Sequence, residues 1–238
     1  MDKEVKGRRI KYSQKKIKNF KKKKETILVF SAHSDDFVIG AGGTIAKYTK
    51  EGRKVIAVVF SYGEKSHPWL KEKVVQRIRA QEAYDAAKVL KCKVVIYDFR
   101  EGKFLQEYVL KNTEEKLLEL IKKEKPSKIF THSNEDPHPD HKAINKITLE
   151  LYKLLSFKRK RRPEVYIYSV WNPVSFRTQL PALYVDISRT FSLKLKALKK
   201  YRSQLTRIVY PVFFLFWRAV KDGLKIRKMF GECFFRIK

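Results

Sequence analysis

Short apolar, β-rich runs alternate with longer amphipathic segments along most of this chain, and that alternation leaves it few architectures. "TILVFSA" from Thr26, "KVIAVVFS" from Lys54, "KVVIYDF" from Lys93 and "SKIFTHS" from Ser127 are unbroken apolar runs of strand length. That is the pattern of strands buried on both faces. Between them lie segments with apolar residues at helical spacing: "GTIAKYTKEG", closed by Gly52; "EKVVQRIRAQEAYDAAKVLK"; "NTEEKLLELIKKEKP", with Asn112 or Thr113 as cap and Pro126 as stop; and "HKAINKITLELYKLL". "EVYIYSVW" and "ALYVDIS" read as later strands, and "RTFSLKLKALKKYRSQL" as a final amphipathic helix. The pattern predicts an α/β fold, a Rossmann-like three-layer sandwich with a mainly parallel sheet and helices on both faces. Ligands of such sheets bind outside the carboxyl ends of the strands.

Two such ends carry unusual chemistry. In "FSAHSDDFVIGAGG", Phe30 to Gly43, the first strand runs into His33 and the adjacent pair Asp35 and Asp36. An imidazole and a carboxylate at i and i+3 share one side of a first helical turn and form an ordinary pair of zinc ligands. A catalytic zinc needs a third protein ligand and leaves a position for water. "THSNEDPHPDHKAI", Thr131 to Ile144, follows another buried strand and supplies candidates: His132, His138 and His141, with Asp136 and Asp140 between them. Three of the chain's five histidines fall in this stretch. Taken singly, a histidine at a strand end is an ordinary loop residue, and paired aspartates at a helix start are ordinary caps. Two His/Asp clusters at one edge of one sheet point instead to a metal site. "GAGG" lacks the G-x-G-x-x-G spacing of a dinucleotide-binding loop.

The same two stretches resemble a known family. "AHSDD" followed by "GAGGTIA" is similar to the A-H-P-D-D-E…G-G-T-[IL]-A signature of the PIG-L-type (LmbE-like) zinc-dependent N-deacetylases, and "THSNEDPHPDH" to their T-H-x(n)-D-x-H-P-D-H motif. "RAQEAYDAAKVL", "VDISRTFSLKLKALKKYRSQ" and, more weakly, "GECFF" resemble later segments of that family. The resemblance implies zinc, one ion per chain with another divalent transition metal as the alternative, bound by His33, Asp36 and His141. It implies Asp35 as general base and a protonated His138 as the oxyanion-stabilising histidine, with Asp140 as the orienting partner that favours its imidazolium. The implied reaction removes the N-acetyl group from an N-acetylglucosamine-type sugar or conjugate and releases acetate. Two departures stand out: Ser34 where the family has proline, and Phe37 where it has glutamate. The rival reading is a non-catalytic or weakly active polyanion-binding or membrane-surface-binding protein on the same scaffold, with Phe37 marking a decayed site.

With 238 residues the chain suits one substantial core, residues 25–238, preceded by a basic extension over residues 1–24. The formal net charge of +30 attracts polyanions such as nucleic acid, an anionic membrane or acidic substrates, or simply keeps a lysine-rich surface soluble. No arginine-aromatic motif marks specific nucleic-acid binding. Two cysteines, Cys92 and Cys233, cannot build a disulfide scaffold and suit a reducing compartment. The N-terminal run has no apolar core of a secretory signal, so a cytoplasmic protein is expected, peripheral at the inner membrane surface if its charge is used there. "IVYPVFFLFW", Ile208 to Trp217, is too short to span a bilayer and contains Pro211. With its basic flanks it reads either as an anionic-membrane contact or as a core or substrate-covering helix. Nothing in the sequence sets the oligomeric state.

Overall fold

The computed structural model describes residues 25–67, 69–158, 162–172, 179–205 and 212–238. The expected basic extension over 1–24 and the first part of the Ile208–Trp217 run lie outside these residues. Seven strands, β1 (Thr26–Ser31), β2 (Lys54–Val59), β3 (Lys93–Ile96), β4 (Lys128–His132), β5 (Glu164–Tyr168), β6 (Ala182–Asp186) and β7 (Gly231–Arg236), form one sheet in the order β3-β2-β1-β4-β5-β7-β6. β1 pairs parallel with both β2 and β4, and β4 with β5, as the alternation predicts. β7 is antiparallel to both β5 and β6.

Alternation along β1 builds both cores. Ile27 and Val29 enter one apolar cluster with residues of α1 (Asp36–Lys50), α2 (Glu72–Leu90) and α6 (Phe191–Leu198). Leu28 and Phe30 enter the other, with α3 (Phe104–Leu110), α4 (Thr113–Glu124) and α5 (Pro139–Lys158). The sheet is thus covered on both faces. Two short helices, α7 (Arg202–Leu205) and α8 (Val212–Leu224), precede β7. The segment expected as one last helix is broken: α6 ends at Leu198, and Tyr201 turns into the core before α7. No described helix is long and apolar enough to cross a membrane. Cys92 and Cys233 are free thiols.

α1 begins seven residues earlier than the glycine run suggests, because packing overrides propensity there. A Cβ at Gly40 would lie 2.2 Å from Cδ2 of the buried Tyr168, and one at Gly43 would lie 2.6 Å from Cδ1 of Ile187. Only glycine admits that approach. The backbone N–H groups of Gly43 and Thr44 donate to the Glu232 carboxylate at 3.0 and 2.7 Å, and the buried Lys194 ammonium pairs with it at 2.7 Å. β7 is thereby tied to α1.

Chain order places the site. After β1 the chain adds β2 and β3 on one side and then crosses over to add β4 on the other. The crevice between the carboxyl ends of β1 and β4 is therefore the topological switch point, where such sheets bind ligands.

Candidate metal centre

Both His/Asp clusters meet in that crevice. His33 and Asp36 come from the β1–α1 turn, His132 ends β4, and His138 to His141 lead into α5. The main-chain N–H of His33 donates to Asp36 Oδ2 at 2.7 Å, which folds the turn so that ring and carboxylate converge. Asp36 Oδ2 lies 3.4 Å from His33 Nδ1 and 3.3 Å from His141 Nε2. Ligand atoms of His33, Asp36 and His141 all fall within 4.8 Å of one another, and all three residues are buried.

Each of these imidazoles is backed by a carboxylate on its far nitrogen. Asp140 Oδ2 sits 3.3 Å from His33 Nε2, and Asp136 Oδ1 sits 2.9 Å from His141 Nδ1. Carboxylates in this position fix the tautomer and orientation of metal-bound histidines. Neither nitrogen of His141 makes an aligned hydrogen bond, and Nε2 faces the Asp36 carboxylate, at 3.3 Å. A buried imidazole nitrogen aimed at a buried carboxylate is the arrangement of two ligands converging on one ion. Two imidazoles, a carboxylate and carboxylate backing fit a divalent metal ion.

The electrostatics agree. Burial works against charge on His141, but Asp36 and Asp136 outweigh it and raise its pKa to about 9. His33 is likewise raised well above its ordinary value, burial being outweighed by Asp140 and Asp36. Asp36 is held well below the carboxylate range, His141 being the strongest of the groups that overcome its burial. The surroundings thus favour charge on Asp36, His33 and His141, a pattern of opposite charges that a bound cation would replace.

Asp35 is the N-cap of α1, yet its side chain makes no capping bond. Its Oδ1 takes Arg79 Nη2 at 3.2 Å, and the buried Arg79 is itself anchored through Nε to the Tyr62 carbonyl at 3.0 Å. Asp35 therefore stands beside the cluster without joining it. His138 lies over His33, ring centroids 4.8 Å apart, and its Nδ1 accepts the Asp140 backbone N–H at 3.2 Å. The Asp140 carboxylate, expected beside His138, lies 3.3 Å from His33 Nε2 and accepts the N–H of Gly102, and ligand atoms of His33, His138 and Asp140 fall within 4.8 Å of one another. His132 Nε2 accepts the Ala32 N–H at 2.9 Å, and burial drives its pKa down to about 4, so it is a neutral floor to the site.

Sequence reasoning places Asp136 in the second cluster but gives it no part. It is fully buried and accepts from Val170, Trp171 and His138 as well as backing His141. Arg79 is visible in the sequence only as the arginine of "RAQEAYDAAKVL". Glu101, whose Oε1 lies 3.7 Å from His33 Nε2, has no signal, because nothing in the sequence brings the loop after β3 here. The substituted positions are accommodated: Ser34 Oγ donates to the Tyr62 carbonyl at 3.1 Å, and Phe37 is buried in the apolar core.

A scan against protein families matches residues 28–152 to the model described as "PIG-L: GlcNAc-PI de-N-acetylase", a span that carries both clusters. The chain belongs to the PIG-L family. Membership places it among enzymes rather than among purely binding proteins. It is 24% identical over 217 residues to the diacetylchitobiose deacetylase of Thermococcus kodakarensis, covering 87% of this chain and 79% of that one. It is 27% identical over 197 residues to the 4-oxalmesaconate hydratase of Pseudomonas putida, covering 76% and 75%. The fold superposes on the N,N'-diacetylchitobiose deacetylase of Pyrococcus horikoshii with a TM-score of 0.74 at 24% identity, over 90% of this chain and 84% of that one.

Proposed function

We propose that this PIG-L protein is a zinc-dependent N-deacetylase that hydrolyses the acetamide of an N-acetylglucosamine-type sugar or conjugate. The observation that carries the reading is the carboxylate-backed His33–Asp36–His141 cluster with Asp35 beside it. His33, Asp36 and His141 would hold the ion. A bound zinc supplies a Lewis acid and brings a coordinated water's pKa towards about 7.

The rest falls to the chain. Arg79 holds Asp35 as an oriented carboxylate. Asp35 takes the proton of the attacking water and returns one to the nitrogen of the leaving amine as the C–N bond breaks, so acetate and a primary amine depart. His138 donates from Nε2 to the oxyanion. Its pKa is lowered by burial and by the neighbouring His33 and His141, and its Nδ1 already accepts from Asp140. The neutral ring therefore carries its proton on Nε2, and no imidazolium is needed. We take residues 25–238 as the catalytic unit and place it in the cytoplasm.

The likeness to 4-oxalmesaconate hydratase supports a second reading, addition of water to a small anionic unsaturated acid by the same base. One panel separates the two. Zinc-loaded protein is assayed for acetate and primary amine from N-acetylglucosamine, diacetylchitobiose and N-acetylglucosaminyl conjugates, and for hydration of unsaturated dicarboxylates. Equimolar acetate and amine from at least one sugar is expected. Hydration with no acetate from any sugar would overturn the deacetylase reading.

A further inference from the structure

α8 carries apolar side chains on more sides than the described residues cover. Leu215, Ala219 and Gly223 face inward and are buried. Phe213, Trp217 and Leu224, at i, i+4 and i+11, share a different side and remain exposed, Phe213 and Leu224 at 70% each. Apolar side chains that large in one exposed stripe mark an interaction surface. Its rim is cationic. Between Val212 and Phe230 stand Arg218, Lys221, Lys225, Arg227 and Lys228 against the single acid Asp222, and Lys225, Arg227 and Lys228 are exposed. The Lys221 ammonium lies 4.8 Å from the centroid of the Trp217 ring.

We propose that α8 docks on the surface of an anionic phospholipid bilayer, its aromatic side entering the headgroup boundary and its basic rim meeting the lipid phosphates. Charge selects this occupant. A second copy of the chain brings another +30, and residues 1–24 are themselves strongly basic, so both are repelled by the rim that an anionic surface attracts. An aromatic stripe edged by lysine and arginine is the side-chain order of helices that lie in the membrane interface. The docked helix sits next to the metal centre: Arg218 Nη1 donates to the Val170 carbonyl at 3.4 Å, and the N–H of Val170 donates to Asp136.

The test uses the full chain and sedimentation with vesicles of phosphatidylcholine, with and without phosphatidylglycerol. The protein should bind the mixed vesicles and release in high salt, where the Debye length falls to about 3 Å at 1 M. Phe213→Gln/Leu224→Gln, which alters exposed side chains and leaves the basic residues in place, should weaken binding by about tenfold or more, from the apolar area lost. Lys225→Glu/Lys228→Glu should also weaken binding to the anionic vesicles, while both variants keep the wild-type melting curve. Unchanged binding of the Phe213/Leu224 variant would assign adsorption to the basic tail and overturn the proposal. So would equal binding to vesicles without phosphatidylglycerol, a drop from dimer to monomer mass in that variant, or loss of RNA retention in place of vesicle binding.

Discussion

Replacing Asp136 by asparagine keeps its volume and removes one acceptor from a fully committed carboxylate. Oδ2 accepts from Val170 and Trp171 at 3.1 and 3.0 Å, while Oδ1 accepts from His138 N–H at 3.2 Å and faces His141 Nδ1 at 2.9 Å. If the asparagine carbonyl stays on Val170 and Trp171, its amide group meets the His138 N–H, donor against donor. It then suits His141 only when Nδ1 is an acceptor. That tautomer puts the proton on Nε2, the nitrogen facing Asp36, and a protonated nitrogen cannot bind a metal. If the amide turns over, two backbone N–H groups are opposed instead. Losing one hydrogen bond to a charged acceptor costs about 1.5–3 kcal/mol, so the metal-free fold should lose roughly that much. Losing the backing of a ligand typically weakens metal affinity by about 10–100-fold, or about 1.4–2.7 kcal/mol. Urea denaturation of the metal-free protein measures the first, and competition with a chromogenic zinc chelator measures the second. Zinc affinity within about twofold of wild type would refute the claim that Asp136 sets the His141 tautomer.

Asp35→Asn should retain zinc and lose about 10²–10⁴-fold in turnover, the usual contribution of a general base; zinc loss with activity kept would exchange the roles of base and ligand. Zinc binding to the metal-free protein should release protons. His141, raised to about 9 by Asp36 and Asp136 against burial, is charged at neutral pH and must become neutral to ligate. Its protonated form stabilises the metal-free fold fully below about 6.5, and that contribution is lost as pH rises through about 9. Zinc affinity should accordingly climb with pH across that window, and calorimetric heats should vary with the buffer's ionisation enthalpy; heats independent of buffer would count against the assignment. Gly40→Ala drives a methyl into Tyr168, whose hydroxyl donates to the Phe30 carbonyl at 2.6 Å. Overpacking of that kind costs about 1–3 kcal/mol, a drop of a few degrees or more in melting temperature, and an unchanged melt would mean the ring can move aside.

How much of the fold and the site is legible in the sequence depends on how local each signal is. The parallel strands announce themselves as apolar runs, so two His/Asp clusters can be placed at strand ends; that His141, rather than His132 or His138, completes the set with His33 and Asp36 comes only from the family resemblance. The part of Asp136 is not legible at all. Its role depends on facing a ring five residues away while the loop after β5 supplies two N–H groups to its other oxygen. Asp140 pairs in sequence with its neighbour His138, yet its carboxylate turns to His33, a contact across 107 positions of sequence. The helical pattern of "GTIAKYTKEG" marks only the later part of α1, and only Tyr168 and Ile187 explain why glycine is required at Gly40 and Gly43. α3 has no sequence signal strong enough to find it, and the last helix reads through the break at Tyr201, where neither proline nor glycine marks one. β7 looks like a closing echo of a motif; its place between β5 and β6 is a long-range pairing that no local pattern encodes.

A metal ion held by His33, Asp36 and His141 is what would make this chain a hydrolase. Acetate release from an N-acetylated sugar, followed as zinc is titrated into chelator-stripped protein, tests that dependence most directly. A centre with three protein ligands holds one ion. Activity should therefore start near zero, rise in proportion to added zinc and break at one equivalent per chain. Full acetate release by the stripped protein, before any metal is added, would contradict the assignment.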